Sequence, residues 1–209
     1  TDYQYGALSF EIFSNQKKLI TNTGYFSDRN SKLNKLSKST ALHNTLVLED
    51  SSSCTSKKSN KNLVIDKGLK ISKKNIIYEK NYWKISASHD GYLQKFGSIH
   101  ERDIEFYPEQ NKFIGYDRIL RKNPNREIKF DIRFHLYPSS KVMKTQDNKS
   151  ILIELEEEGW KFICDNFDIN IDNGLYFGNK NSYKDNQNIL ISGMNKENEQ
   201  TIKWEIIKL

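Results

Sequence analysis

The sequence predicts an all-β chain, an antiparallel β-sandwich of many short strands with few helices, and three observations carry that prediction. Between residues 127 and 137 the apolar Ile128, Phe130, Ile132, Phe134 and Leu136 alternate with polar or charged neighbours, the period of two that lays one face of a strand on a core. Similar alternation returns at residues 83–87, 151–155, 160–164 and 202–206, with polar turn clusters rich in Asn, Asp, Ser and Gly between the runs. A helical period is almost absent, and many short strands without helices read as two packed sheets.

Taken in order, Leu8-Ser9-Phe10-Glu11 reads as a first strand and Ile20-Thr21-Asn22-Thr23-Gly24 as a turn. Residues 28–38 are the one passage compatible with a short helix or an irregular loop. His43 and Asn44 stand at a strand start, and the Ser-, Lys- and Asn-rich residues 51–61 read as a surface loop. Ser88-His89-Asp90-Gly91-Tyr92 reads as a strand end and a turn, so that His89 and Tyr92 flank a loop. His100-Glu101-Arg102 alternates inside a strand, with a local ion pair as its plain explanation. The strand over 127–137 places Arg133, His135 and Tyr137 together on the face opposite its apolar residues. The acidic run at 154–158 reads as a solvated turn before Trp160, and Asn173-Gly174 as another turn.

Composition bounds the rest. At 209 residues the chain is long enough to bury a core without metals or disulfides, and we read residues 1–209 as a single β-sandwich domain. The mean hydropathy of −0.78 is low, yet 12% aromatic residues argue against disorder. A net charge of +6 favours acidic polymers without choosing between them. The lysines are scattered and no aromatic-basic strand motif occurs, so nucleic acid is not an expected partner. No apolar run is long enough for a membrane span. Cys54 and Cys164 are too few for a disulfide framework or a cysteine metal site, and read as buried free thiols or, in an oxidising compartment, a pair. The chain opens at Thr1 directly in what reads as a strand, as expected of part of something larger.

Three segments in order resemble a known family: Leu8-Ser9-Phe10, then Ile20-Thr21-Asn22-Thr23-Gly24, then Ser39-Thr40-Ala41-Leu42-His43-Asn44-Thr45-Leu46-Val47-Leu48-Glu49-Asp50. They are similar to the opening of the C-terminal β-sandwich of heparinase II/III-like polysaccharide lyases. Ser88-His89-Asp90-Gly91-Tyr92, His100-Glu101-Arg102 and Arg133-Phe134-His135-Leu136-Tyr137-Pro138 resemble later segments of bacterial members. The resemblance implies β-elimination on an acidic, uronate-containing polysaccharide in the periplasm or cell envelope. It also implies an N-terminal (α/α) toroid, absent here, that carries most of the catalytic groups and partners this sandwich.

The family holds a zinc ion on the sandwich, with a His in the position of His43, another in the position of Gln4 and an acidic residue in the position of Asn22. Zinc prefers His, Cys and carboxylate, so the expected cofactor is none, with zinc at His43, Asn22 and Gln4 the one the motif leaves open. The catalytic His that the family's sandwich contributes falls at Asp2. For chemistry on the sandwich itself the candidates are His135, His89 and Tyr92 as proton-moving groups, with Arg133, Tyr137 and Asn44 as substrate contacts. No nucleophile elbow or phosphate-cradling glycine loop occurs. The alternative is a non-catalytic β-sandwich that binds carbohydrate or braces a partner domain after losing catalytic residues.

Overall fold

The computed structural model describes residues 4–59, 62–122, 124–178 and 182–209. Two sheets face each other. The larger has eight strands in the order β11 (Lys141–Lys144), β12 (Ser150–Leu155), β13 (Glu158–Ile163), β16 (Glu199–Lys208), β9 (Lys112–Arg121), β8 (Ser98–Tyr107), β7 (Tyr82–His89) and β6 (Ile71–Glu79). The smaller runs β14 (Ile169–Tyr176), β15 (Lys184–Asn195), β10 (Ile128–His135) and β3 (Leu46–Leu48). Two hairpins complete the strands, β1 (Ile12–Ser14) with β2 (Lys17–Ile20), and β4 (Thr55–Ser59) with β5 (Asn62–Lys67). The helices are short, α1 (Lys32–Ser37) and α2 (Leu93–Phe96), with 3-10 turns at Thr40–Leu42 and Pro108–Gln110.

The alternation seen in sequence becomes the core. Phe130, Ile132 and Phe134 of β10 lie with Ile189 and Ile191 of β15 against Phe162 of β13 and Trp204 and Ile206 of β16. Phe134 meets Trp204 edge-on at 4.9 Å and Phe162 at 4.8 Å between ring centroids, so aromatic contacts stitch the two sheets. Gly115 on β9 leaves the room the Trp204 indole occupies, since a Cβ there would fall 1.9 Å from the ring.

Four expectations need correction. β10 is not half-buried: on its other face His135 is buried within reach of the Ala41 carbonyl of the 3-10 turn, and Asp131 is buried where it accepts from Ser192 of β15. Residues 55–59 are not loop but strand, paired with β5 as an edge hairpin whose polar side chains suit an exposed ribbon. Asn173-Gly174 lies inside β14, where Gly174 pairs with Asn186. Arg102 and Glu101 make no ion pair with each other: Glu101 meets Lys73, while Arg102 turns to the opposite side of the sheet and pairs with Asp117. Cys54 and Cys164 are both buried and both free.

Candidate functional site

The expected first strand over Leu8–Glu11 is not one: residues 4–11 precede β1 without strand pairing, so their carbonyls need partners from elsewhere. Side chains supply them. Thr40 Oγ1 and Ser53 Oγ donate to the Tyr5 carbonyl at 2.7 and 3.2 Å, Thr45 Oγ1 to Ala7 at 2.8 Å, and Asn44 Nδ2 to Phe10 at 2.8 Å. Arg102 Nη1 donates to the Leu8 carbonyl at 2.9 Å. The Thr-Ala-Leu-His-Asn-Thr element is therefore a rack that carries the segment. Asn44 is its centre, because its Oδ1 also accepts from the His135 backbone N–H at 2.7 Å and its own N–H donates to Asn22 Oδ1 at 3.1 Å.

His43 sits where the rack meets Gln4. Its Nδ1 lies 2.9 Å from the Ser39 carbonyl, which only accepts, so Nδ1 carries the proton and Nε2 keeps the lone pair. Nε2 lies 3.0 Å from Gln4 Oε1, itself an acceptor, so in this tautomer a hydrogen bond between them requires the Gln4 amide to turn its NH2 toward the ring. Burial holds the imidazole below its ordinary pKa, so it is neutral at physiological pH. The ring rests on Gly6, where a Cβ would come within 2.2 Å of it. Outside this pair a cleft of about 410 Å³ opens, lined by Tyr5, Ser9 and Asn22 on the polar side and by Ile65, Leu69 and Ile71 on the apolar side.

Behind the rack lies a buried hydrogen-bonded chain. The Gly91 N–H donates to His89 Nδ1 at 3.1 Å, so His89 donates from Nε2 to His100 Nδ1 at 3.2 Å. His100 in turn donates from Nε2 to Asp117 Oδ1 at 2.6 Å. Arg102 forks onto both Asp117 oxygens at 2.7 and 3.0 Å, and Trp204 Nε1 donates to Oδ2 at 2.8 Å. Four donors fill the lone pairs of one carboxylate. Although burial opposes it, the combined effect of the Arg102 cation and these donors holds the Asp117 carboxyl well below the usual range. Burial, aided by the Arg102 cation, pushes His89 down to about 2 and, against the pull of Asp117, lowers His100, so both rings stay neutral.

The profile of the family described as "Heparinase II/III-like, C-terminal" matches residues 1–205. The chain belongs to that family. A curated relative, FtsZ-localized protein C of Caulobacter vibrioides, is 28% identical over 129 residues, 57% of this chain and 22% of that protein. Among solved structures the heparan sulfate lyase HepC of Pedobacter heparinus superposes with a TM-score of 0.80 at 14% identity, over 98% of this chain and 30% of that one. A heparinase III does so with 0.77 at 13%, over the same shares. The chain thus spans less than a third of the length of the proteins it matches, and at these identities the structural likeness is one of fold.

As a heparinase II/III-like C-terminal domain, the chain brings Gln4, Asn22 and His43, the positions the resemblance singled out, to one cleft. They do not fit zinc. Gln4 and Asn22 bring neutral amides beside a single imidazole, Asn22 Oδ1 is engaged by Asn44, and burial raises the pKa of the nearby Cys54 thiol, which keeps it protonated. Among the described residues no three His, Cys, Asp or Glu side chains gather where a metal could sit. Asp2 lies outside the described residues.

The proton-moving candidates are placed less favourably. Tyr92 is wholly buried, its hydroxyl donating to the Leu46 carbonyl at 2.8 Å, and burial raises its pKa far above the ordinary phenol. It is a core residue and does not flank an open loop. His135 is buried as well: Nε2 lies 3.0 Å from the Ala41 carbonyl, Nδ1 has no partner, and burial pushes the ring down to about 3. His135, Arg133 and Tyr137 therefore do not form a common solvent surface. Arg133 reaches Asp131 only at 3.5 Å, and Tyr137 stands edge-on to Tyr176 at 5.5 Å in a separate small cleft with Tyr183 and Lys184. Asn44 belongs to the rack. Sequence reasoning missed Asp117, although one signal was available: a carboxylate at the inward position of β9, in register with Gly115 and Ile119, must be paired.

Proposed function

We propose that this chain is the sandwich module of a longer protein acting on acidic, uronate-containing polysaccharide, that it forms one wall of the binding cleft, and that groups outside the chain make the proton transfers of β-elimination. The observation that carries this reading is the engagement of the chain's own imidazoles. His89, His100 and His135 are enclosed with Tyr92 in the interior, and His43, which lines the cleft, is itself buried with Gln4 set against its Nε2. A general base must come within hydrogen-bond reach of the proton it removes. The cleft beside Gln4 and Tyr5 is accessible, and its polar and apolar walls suit a sugar ring. The substrate class follows from the family and from the likeness to HepC, a heparan sulfate lyase. The reading places the protein in the periplasm or cell envelope, which fractionation of cells followed by immunoblotting tests.

The experiment uses the intact protein and a panel of uronate polymers, following absorbance of the unsaturated uronate. Product formation supports the reading. No product from any polymer, with the protein folded, sinks it. A second reading, a binding or bracing module without catalysis, draws support from the Gln4–His43 contact, which spends the imidazole on an amide, and from a relative named for its localisation with FtsZ. Retention of acidic polysaccharide without turnover would select it.

A further inference from the structure

Tyr5 separates the His43 cleft from a second, larger one of about 660 Å³. The wall of that second cleft is α1 and the loop before it. Ser31 caps the helix by accepting from the Leu33 N–H at 3.1 Å. Asn34 Nδ2 ties it to the Tyr25 hydroxyl at 2.8 Å and the Phe26 carbonyl at 2.6 Å, and the Lys38 carbonyl accepts from the Tyr5 N–H at 2.9 Å. A helix this short does not hold itself together in water, so these ties fix its orientation.

Thus fixed, Arg29, Lys32, Lys35 and Lys38 all line the cleft, and among the described residues no Asp or Glu does. In a chain with 27 acidic residues for 33 basic ones, this is a strong local bias. Lys32, Lys35 and Lys38 recur every third residue, which places them on one side of the helix, where like charges repel. Lys32 and Lys35 are exposed, whereas Lys38 is buried with its ammonium 5.5 Å from the centre of the Tyr25 ring. The nearest acidic side chain on the loop, Asp28, accepts from the Asn30 backbone N–H at 3.0 Å. Clustered cations in a concave wall raise the local concentration of anions and are stabilised by them.

We propose that Arg29, Lys32, Lys35 and Lys38 form an anion subsite that takes carboxylate or sulfate groups of a sugar chain whose neighbouring portion lies in the His43 cleft, with Tyr5 between the two. The ligand class rests on the polysaccharide reading above; the site itself rests on the charge and geometry of the cleft. The exposed Lys32 and Lys35 act as point charges along the polymer, and Arg29 and the buried Lys38 add to the positive field of the same wall.

The test measures binding by the intact protein at two salt concentrations. The probes are a heparin hexasaccharide, a sulfate-free oligouronate, neutral dextran and single-stranded DNA. The double variant Lys32→Glu/Lys35→Glu is compared with Lys141→Glu/Lys196→Glu, which makes the same charge change at exposed lysines outside the cleft. The subsite predicts at least a tenfold loss for the first variant on the acidic sugars and a shallower salt dependence, against less than twofold for the second. If the sulfate-free oligouronate loses as much as heparin, carboxylate is the group bound; if only heparin loses, sulfate is, and either result supports the site. Equal losses in both variants, or DNA bound as tightly as the sugars and weakened equally, overturn it. Lost binding in a protein that forms no product sinks the lyase reading and leaves the subsite standing. Product formation with an unchanged KM in the Lys32/Lys35 variant does the reverse.

Discussion

On the inner face of the eight-stranded sheet, Phe162, Trp204 and Ile206 lie beneath the four-stranded sheet, whereas the same face continues through Ile85 and Trp83 of β7 to Ile76 and Tyr78 of β6 with no sheet above it. There Ile85, Ile76 and Tyr78 remain 58%, 74% and 76% exposed. Residues 8–12 line the boundary, at a groove of about 300 Å³ walled by Phe10, Trp83, Ile104 and Phe106. Both halves show the same alternation in sequence. The comparison teaches that period two reports which residues share a face, and that burial is decided by whether another layer reaches it. A contiguous apolar patch of this kind is unusual on a free surface.

The sharpest way to break the comparison is to truncate matching tryptophans. Trp204→Ala should cost about 3–5 kcal/mol, because it removes the ring that Phe10, Phe134 and Phe162 contact and leaves Asp117 short of a donor. Trp83→Ala should cost less than about 1 kcal/mol, and comparable urea midpoints for the two would mean that the outer half is covered after all. Next, Asp117→Asn keeps the shape but leaves Arg102 buried without a counter-charge, at a cost of about 3–5 kcal/mol. An unchanged melting temperature would show that the network contributes nothing to the covered half.

Acid provides a third test. Folding keeps all four histidines neutral, so below about pH 6.5 the unfolded chain takes up protons that the folded one refuses. Stability should be complete above that pH and fall toward the folded values, about 3 for His135 and about 2 for His89, by about 1.4 kcal/mol per histidine per pH unit. The Asp117 carboxyl, held low, adds a further loss once pH drops below about 4. A melting temperature flat from pH 7 to 5 would contradict their burial. The smallest effect belongs to the outer half: Ile76→Ser with Tyr78→Ser should change stability by less than about 0.5 kcal/mol while reducing the binding of an apolar dye.

Much of this architecture was legible in the sequence. The strands over 151–155, 160–164 and 202–206 emerged from alternation alone, and the resemblance placed Gln4, Asn22 and His43 in one cleft. What escaped was the second layer around each element. β10 looked half-buried because Arg133 and His135 are polar, yet the 3-10 turn at Thr40–Leu42 makes a hydrogen bond to His135, a contact between distant residues that no local pattern encodes. β4 was hidden by Ser and Lys, which an edge strand tolerates and a loop also prefers. The roles of Thr40 and Thr45 depend on the carbonyls of a segment more than thirty residues away.

Mechanically, that rack makes residues 4–10 a clamp. A pull along the segment loads the bonds from Thr40, Thr45, Asn44 and Arg102 together, since they grip successive carbonyls of one stretch, and Arg102 passes its share through Asp117 to the indole of Trp204. The segment should therefore yield in one step rather than peel, and its register against the sandwich should hold until the core itself gives way.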